Sequence, residues 1–152
     1  HVAGSLALLA QGACVDHFQH WVAENPEATP RERKQQWLEL KSVYEPDVDY
    51  DDLAFPKTGG SWQMTLHFFQ FPFYYIDYVI AQTCAFQYWI RNEENPEETW
   101  KSYLKLCQAG GSLHFKQLIE LAELQSPFEE GCLESIVEKV SSWLDGVDVA
   151  KL

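Results

Sequence analysis

The sequence predicts an all-α fold, an array of about six or seven helices with no sheet. Three observations predict it. The tetrapeptides TPRE, NPEE and SPFE repeat one helix-start device, with a capping side chain at Thr29, Asn95 or Ser126, proline next, and glutamate three residues after the cap. In each, the cap oxygen can accept a free backbone N–H, the proline loses nothing, and the glutamate can reach back. No stretch alternates apolar and polar residues for long enough to read as a strand, and apolar residues recur at helical spacing instead.

The elements follow in order. Residues Val2 to Glu24 read as one helix, stopped by Asn25-Pro26. A second runs from Pro30 to Tyr44, with Trp37, Leu40 and Tyr44 on one stripe. The acidic stretch EPDVDYDDLAFPKTGG reads as a loop, and SWQMTLHF as a short helix. Pro72 is expected to open an aromatic helix reaching Arg91. Pro96 to Gln108 forms the next, stopped by Gly110-Gly111. Helices over Ser112–Leu124 and Pro127–Leu144 complete the chain.

Composition excludes several function classes. The length, 152 residues, is that of one domain, which can bury roughly 70% of its unfolded surface. With 46% hydrophobic residues there is material for a core. A net charge of −12 argues against nucleic-acid partners, which need a basic footprint, and against anionic membranes. No apolar run approaches the ~20 residues of a membrane span. The four cysteines, Cys14, Cys84, Cys107 and Cys132, are widely spaced and read as reduced and buried, as in a cytoplasmic protein, although an even count also permits two disulfides.

Two groups could carry chemistry. His17 and His20, in HFQH, share a helix face and could grip a metal; Asp16 is adjacent, but no obvious third ligand accompanies them. The alternative is a polar face flanking Phe18 and Trp21. The stretch HFFQFPFYYIDYVIAQ sets His67 ahead of Tyr74, Tyr75 and Tyr78. At helical spacing Tyr78 neighbours both other tyrosines. Neutral donors aimed at one point can stabilise a developing oxyanion. They can equally be core rings whose hydroxyls bond backbone or water, with Asp77 a structural acceptor.

The segments ACVDHFQHWVAENPEATPRERKQQW, GGSWQMTLHFFQFPFYYIDYVIAQTCAFQYW, YLKLCQAGGS and SPFEEGCLESIV together resemble the C-terminal catalytic region of oligoendopeptidase F, a branch of the thimet oligopeptidase family of zinc metallopeptidases. The resemblance covers nearly the whole chain in the same order. It implies that residues 1–152 form the C-terminal helical portion of a zincin-type catalytic domain that cuts oligopeptides in a helix-walled channel. It also implies that His67, Tyr75 and Tyr78 contact the substrate and the tetrahedral intermediate, with Tyr74 as a further substrate contact.

The departures are as informative. Family members carry H-E-x-x-H, two metal ligands with a glutamate base between them. None of His1, His17, His20, His67 and His114 is followed by glutamate. His17 stands where the family would have an acidic residue. The expectation is therefore zinc in the parent enzyme, no metal ligands and no activity in this chain alone, and the missing N-terminal part of the same enzyme as partner. Apolar surface uncovered without that part predicts self-association, with a homodimer as the simplest form. A non-catalytic helical domain that binds peptides or a partner protein is the alternative.

Overall fold

The computed structural model describes residues 1–148. Among them are eight α-helices, one 3₁₀ turn and no strand. They are α1 (Val2–Glu24), α2 (Pro30–Tyr44), α3 (Ala54–Lys57), the 3₁₀ turn Ser61–Met64, α4 (His67–Gln70), α5 (Ile76–Glu94), α6 (Pro96–Ala109), α7 (Phe115–Leu121) and α8 (Cys132–Asp145). No helix among the described residues is long and apolar enough to cross a membrane.

Where capping chemistry is complete, sequence and structure coincide. Thr29 Oγ1 accepts the Glu32 N–H at 3.3 Å, and Glu32 takes the Thr29 N–H at 2.7 Å, so α2 starts at Pro30. Asn95 caps α6 by accepting from Glu98 N–H, while the Glu98 carboxylate pairs with Lys101 at 2.9 Å. Gly110, at φ 52°, then ends the helix.

Four expectations are corrected. Ser126 does not cap a helix at Pro127: its hydroxyl accepts the Phe128 N–H at 3.3 Å in a local turn, and α8 waits for left-handed Gly131. The helix expected from Ser112 starts at Phe115, where the Gln117 side chain reaches back to the His114 N–H, and Glu123 at φ 55° lies beyond its end. The acidic loop contains the one-turn helix α3. The segment SWQMTLHF is split between the 3₁₀ turn and the start of α4.

The chain divides into two compact units. In the unit Ala7–Val79, the core is Cys14, Val15 and Phe18 of α1 against Trp37 and Leu40 of α2. Phe18 is the hub: its ring lies 5.1 Å from Trp37, 5.4 Å from Trp62 and 5.5 Å from Phe68. Trp37 Nε1 donates to Ser61 Oγ at 2.9 Å, tying the 3₁₀ turn to α2. Gly59, at φ 71°, makes that return passable, because a Cβ there would stand 2.2 Å from the Lys34 carbonyl oxygen.

The other unit comprises His1–Leu6 and Ile80–Leu152. Ile119, Ala122 and Leu124 form its centre, with Cys84, Tyr88 and Leu106 packed around them. The irregular end of α7 is held by side chains of α5 and α6. Arg91 Nη1 and Ser102 Oγ each donate to the Ala122 carbonyl at 2.9 Å, and Gln87 bonds both the N–H and the carbonyl of Gln125. All four cysteines are free thiols; Cys14 and Cys132 are buried, but Cys107 is exposed, against the expectation that all four would be buried.

Candidate functional site

The expected aromatic helix does not begin at Pro72. Phe71, Pro72 and Phe73 form a bend, and α5 starts only at Ile76. Phe73 sits at φ 61°, a left-handed conformation that strains a bulky side chain by about 1–3 kcal/mol. Its N–H is held by the buried Gln19 Oε1 at 3.1 Å. Tyr74 and Tyr75 therefore lie in the turn ahead of the helix, and only Tyr78 lies in its first turns.

That bend brings the predicted residues together. His67, at the start of α4, has its ring 5.0 Å from Tyr75 and 5.7 Å from Tyr78, both edge-on. Tyr74 stacks on the same imidazole at 6.3 Å. Tyr78 is itself 5.3 Å from Tyr74 and 5.5 Å from Tyr75. The four rings form one cluster, reached from two sides of the bend. The cluster is half open: Tyr74 and Tyr78 are 45% and 40% exposed, while Tyr75 packs against the Phe18 core. Asp77 is exposed in the first turn of α5, where its charge suits the helix dipole.

Desolvation by neighbouring groups raises the Tyr78 hydroxyl above its ordinary value, and a hydrogen bond with Tyr74 adds to the rise. Tyr78 is thus a neutral phenol well beyond neutral pH, a proton-bearing donor rather than a phenolate. Edge-on rings, a hydroxyl kept protonated and an accessible face suit donation of hydrogen bonds to an oxygen that gains negative charge.

Sequence reasoning missed two residues that build this cluster. Gly12 of α1 lies under it: a Cβ there would stand 2.2 Å from Val79 Cγ2 and 3.7 Å from the Tyr75 ring. A glycine in the middle of an uninterrupted helix was the available signal. Gln19 was hidden between His17 and His20. Those two histidines take separate roles. His17 Nδ1 lies 3.2 Å from the Tyr44 hydroxyl, and His20 faces Asp16 at 3.5 Å and the Phe73 ring at 5.0 Å.

Among the described residues, no three His, Cys, Asp or Glu side chains come together to hold a metal ion.

An all-α fold with a half-open histidine–tyrosine cluster defines the class of this protein. The model of peptidase family M3 matches residues 1–138, and the chain belongs to that family. The chain is similar to PZ peptidase A, solved with an inhibitor, at 49% identity and TM-score 0.92 over 97% of this chain and 26% of that one. It is similar at 45% identity and TM-score 0.93 to a structure carrying the provisional name oligoendopeptidase F, over 100% of this chain and 27% of that one. A second of that provisional name, from Bacillus anthracis str. Ames, matches at 41% identity and TM-score 0.79, over 100% of this chain and 24% of that one. The chain thus spans about a quarter of the length of the solved structures it matches. No curated protein matches it.

Proposed function

We propose that the chain supplies the substrate-facing part of a cytoplasmic zinc endopeptidase that hydrolyses oligopeptides, as the C-terminal portion of its catalytic domain. The convergence of His67, Tyr74, Tyr75 and Tyr78 on one accessible face carries this reading. In it, Tyr78 and Tyr75 donate hydrogen bonds to the oxygen of the scissile carbonyl as it becomes an oxyanion, His67 polarises the same carbonyl, and Tyr74 holds the substrate beside them. Interactions that strengthen as charge develops lower the barrier rather than merely binding substrate. The metal ligands come from the remaining part of the enzyme. On its own the chain is inactive and covers its apolar surface by self-association.

A second reading is a helical domain that binds peptides or a partner without chemistry, and the exposed apolar side chains Leu66, Phe69 and Phe71 favour it. One comparison separates the two. A complete peptidase that contains this sequence should cleave a fluorogenic oligopeptide in the presence of zinc, while the isolated chain binds no stoichiometric zinc and leaves the peptide intact. A complete peptidase with correct fold and metal content but no turnover would favour the binding domain.

A further inference from the structure

The unit that runs from Ile80 onward holds an aromatic pocket that shares no residue with the tyrosine cluster. A cavity of about 250 Å³ opens between α5 and α6, lined by Tyr88, Trp89 and Asn92 of the first and Thr99, Trp100 and Tyr103 of the second. It is smaller than the roughly 300–1,000 Å³ pockets of drug-sized ligands and suits a compact headgroup. The Tyr88 and Tyr103 rings stand at 84° with centroids 5.7 Å apart, and Trp100 lies within 29° of Tyr103 at 5.7 Å. Two aromatic walls therefore meet at a corner. The corner is anchored, because the Tyr88 hydroxyl bonds Ser102 at 3.2 Å and the Tyr103 hydroxyl bonds Cys107. Trp89 is steadied by Trp143, 5.2 Å away and nearly perpendicular. Trp100 nevertheless stays 59% exposed. No lining residue is charged, and the Thr99 hydroxyl donates to the Asn95 carbonyl. The connection from Asn92 to Thr99 contains four exposed glutamates, at 93, 94, 97 and 98, in a chain of net charge −12. Lys101 and Lys139 pair with three of them. One ring already holds a cation: the Arg91 guanidinium, which does not line the cavity, lies over Tyr88 at 5.9 Å while donating to the Ala122 carbonyl.

We propose that this cavity binds a quaternary ammonium group, its methyls resting in the aromatic corner against Trp100, Tyr103 and Trp89. Aromatic faces attract cations through their quadrupole, tryptophan most strongly. Because Arg91 occupies Tyr88, the two tryptophans carry most of the attraction. An anion would meet the negative ring faces and the glutamates of the connection. A primary ammonium or a guanidinium brings N–H donors, and the lining side chains leave them chiefly the Asn92 carbonyl, so its burial would strand donors. A quaternary nitrogen has no N–H to satisfy, and its charge is spread over methyl groups that pack on rings. Such a group occurs in small free solutes and in trimethylated lysine side chains.

The test is a titration of the ¹⁵N-labelled chain that follows its six indole N–H resonances, with Trp89 and Trp100 assigned by Trp89→Phe and Trp100→Leu. Trp21, Trp37 and Trp62 lie in the unit Ala7–Val79 and serve as internal controls. The probes are choline, its neutral isostere 3,3-dimethyl-1-butanol, ethanolamine, and Nα-acetyl-Nε-trimethyl-lysine amide. Choline and the trimethyl-lysine should shift Trp89 and Trp100 saturably while the controls stay in place. The isostere and ethanolamine should bind about tenfold more weakly or worse. Trp100→Leu keeps an apolar side chain but removes the quadrupole, and should weaken choline roughly tenfold, with Trp100→Phe losing less. Tighter binding of the trimethyl-lysine assigns the site to modified side chains, and equal or tighter binding of choline to free solutes. Unmoved Trp89 and Trp100 resonances at about 10 mM choline would overturn the proposal. So would equal affinity for the neutral isostere, which needs no variant, or unchanged affinity in a Trp100→Leu chain whose control resonances keep their positions. None of these readouts depends on peptidase activity, so the reading of the tyrosine cluster stands or falls separately.

Discussion

Gly12 shows how one missing methyl group can govern a cluster of rings. In an exposed helix, Gly→Ala stabilises by about 1 kcal/mol through helix propensity. Here the new Cβ meets Val79 Cγ2 at 2.2 Å, on a short β-branched side chain with no flexible end to swing away. Overpacking of that kind costs about 1–3 kcal/mol, which outweighs the propensity gain. Gly12→Ala should therefore destabilise the chain in urea unfolding, and a stabilised variant would show that α1 has room to move. Cys14 makes a second prediction at this scale. Burial, with smaller opposed effects of Lys41 and Glu45, pushes its thiol from 9.0 up to about 11. A thiol raised in the folded state keeps its proton there after losing it in the unfolded one. The stability it contributes is complete below pH 9.0 and is lost as pH rises toward 11. The stability difference between wild type and Cys14→Ala, from denaturant unfolding under reducing conditions, should shrink across that window. A constant difference would contradict the assignment.

The same tetrapeptide pattern gives different outcomes in different surroundings. At Thr29 the capping box closes in both directions, and hydrogen bonds from Thr29 hold the Glu32 carboxyl below its ordinary value. At Ser126 the hydroxyl is taken by a local turn and α8 begins six residues later. Thr29→Ala should therefore cost about 1 kcal/mol in thermal or urea unfolding, and Ser126→Ala distinctly less. Equal losses would mean that Ser126 supports α8 after all. This contrast marks what was legible in the sequence. Helix α2 was readable because its cap and apolar stripe are local, and α1 because an unbroken helical run ends at Asn25-Pro26. The starts of α5 and α8 were not, because distant or conformational facts decide them: Gln19 pins the Phe73 N–H from α1, and Gly131 turns left-handed. The members of the cluster were legible as residue types. Their geometry was not, since two of the tyrosines lie in a turn that no periodicity announces, and Gly12 acts through space.

At the scale of the whole molecule, the two units share one property. Both display large apolar side chains, Leu53, Met64, Leu66, Phe69 and Phe71 in Ala7–Val79 and Trp100, Phe128 and Trp143 in the other. Apolar side chains exposed together mark contact surfaces in soluble proteins, and the chain belongs to peptidase family M3, whose solved members similar to it are about four times as long. The account then turns on whether the exposed phenols serve chemistry. Steady-state hydrolysis by the complete peptidase, with Tyr78→Phe against wild type, addresses it most directly. The substitution keeps the ring packing against His67, Tyr74 and Tyr75 and removes only the hydroxyl. A donor acting on the oxyanion works mainly in the transition state, so kcat should fall about 10²–10³-fold with KM nearly unchanged. A folded, metal-loaded variant that turns over at close to the wild-type rate would contradict the account and return Tyr78 to packing alone.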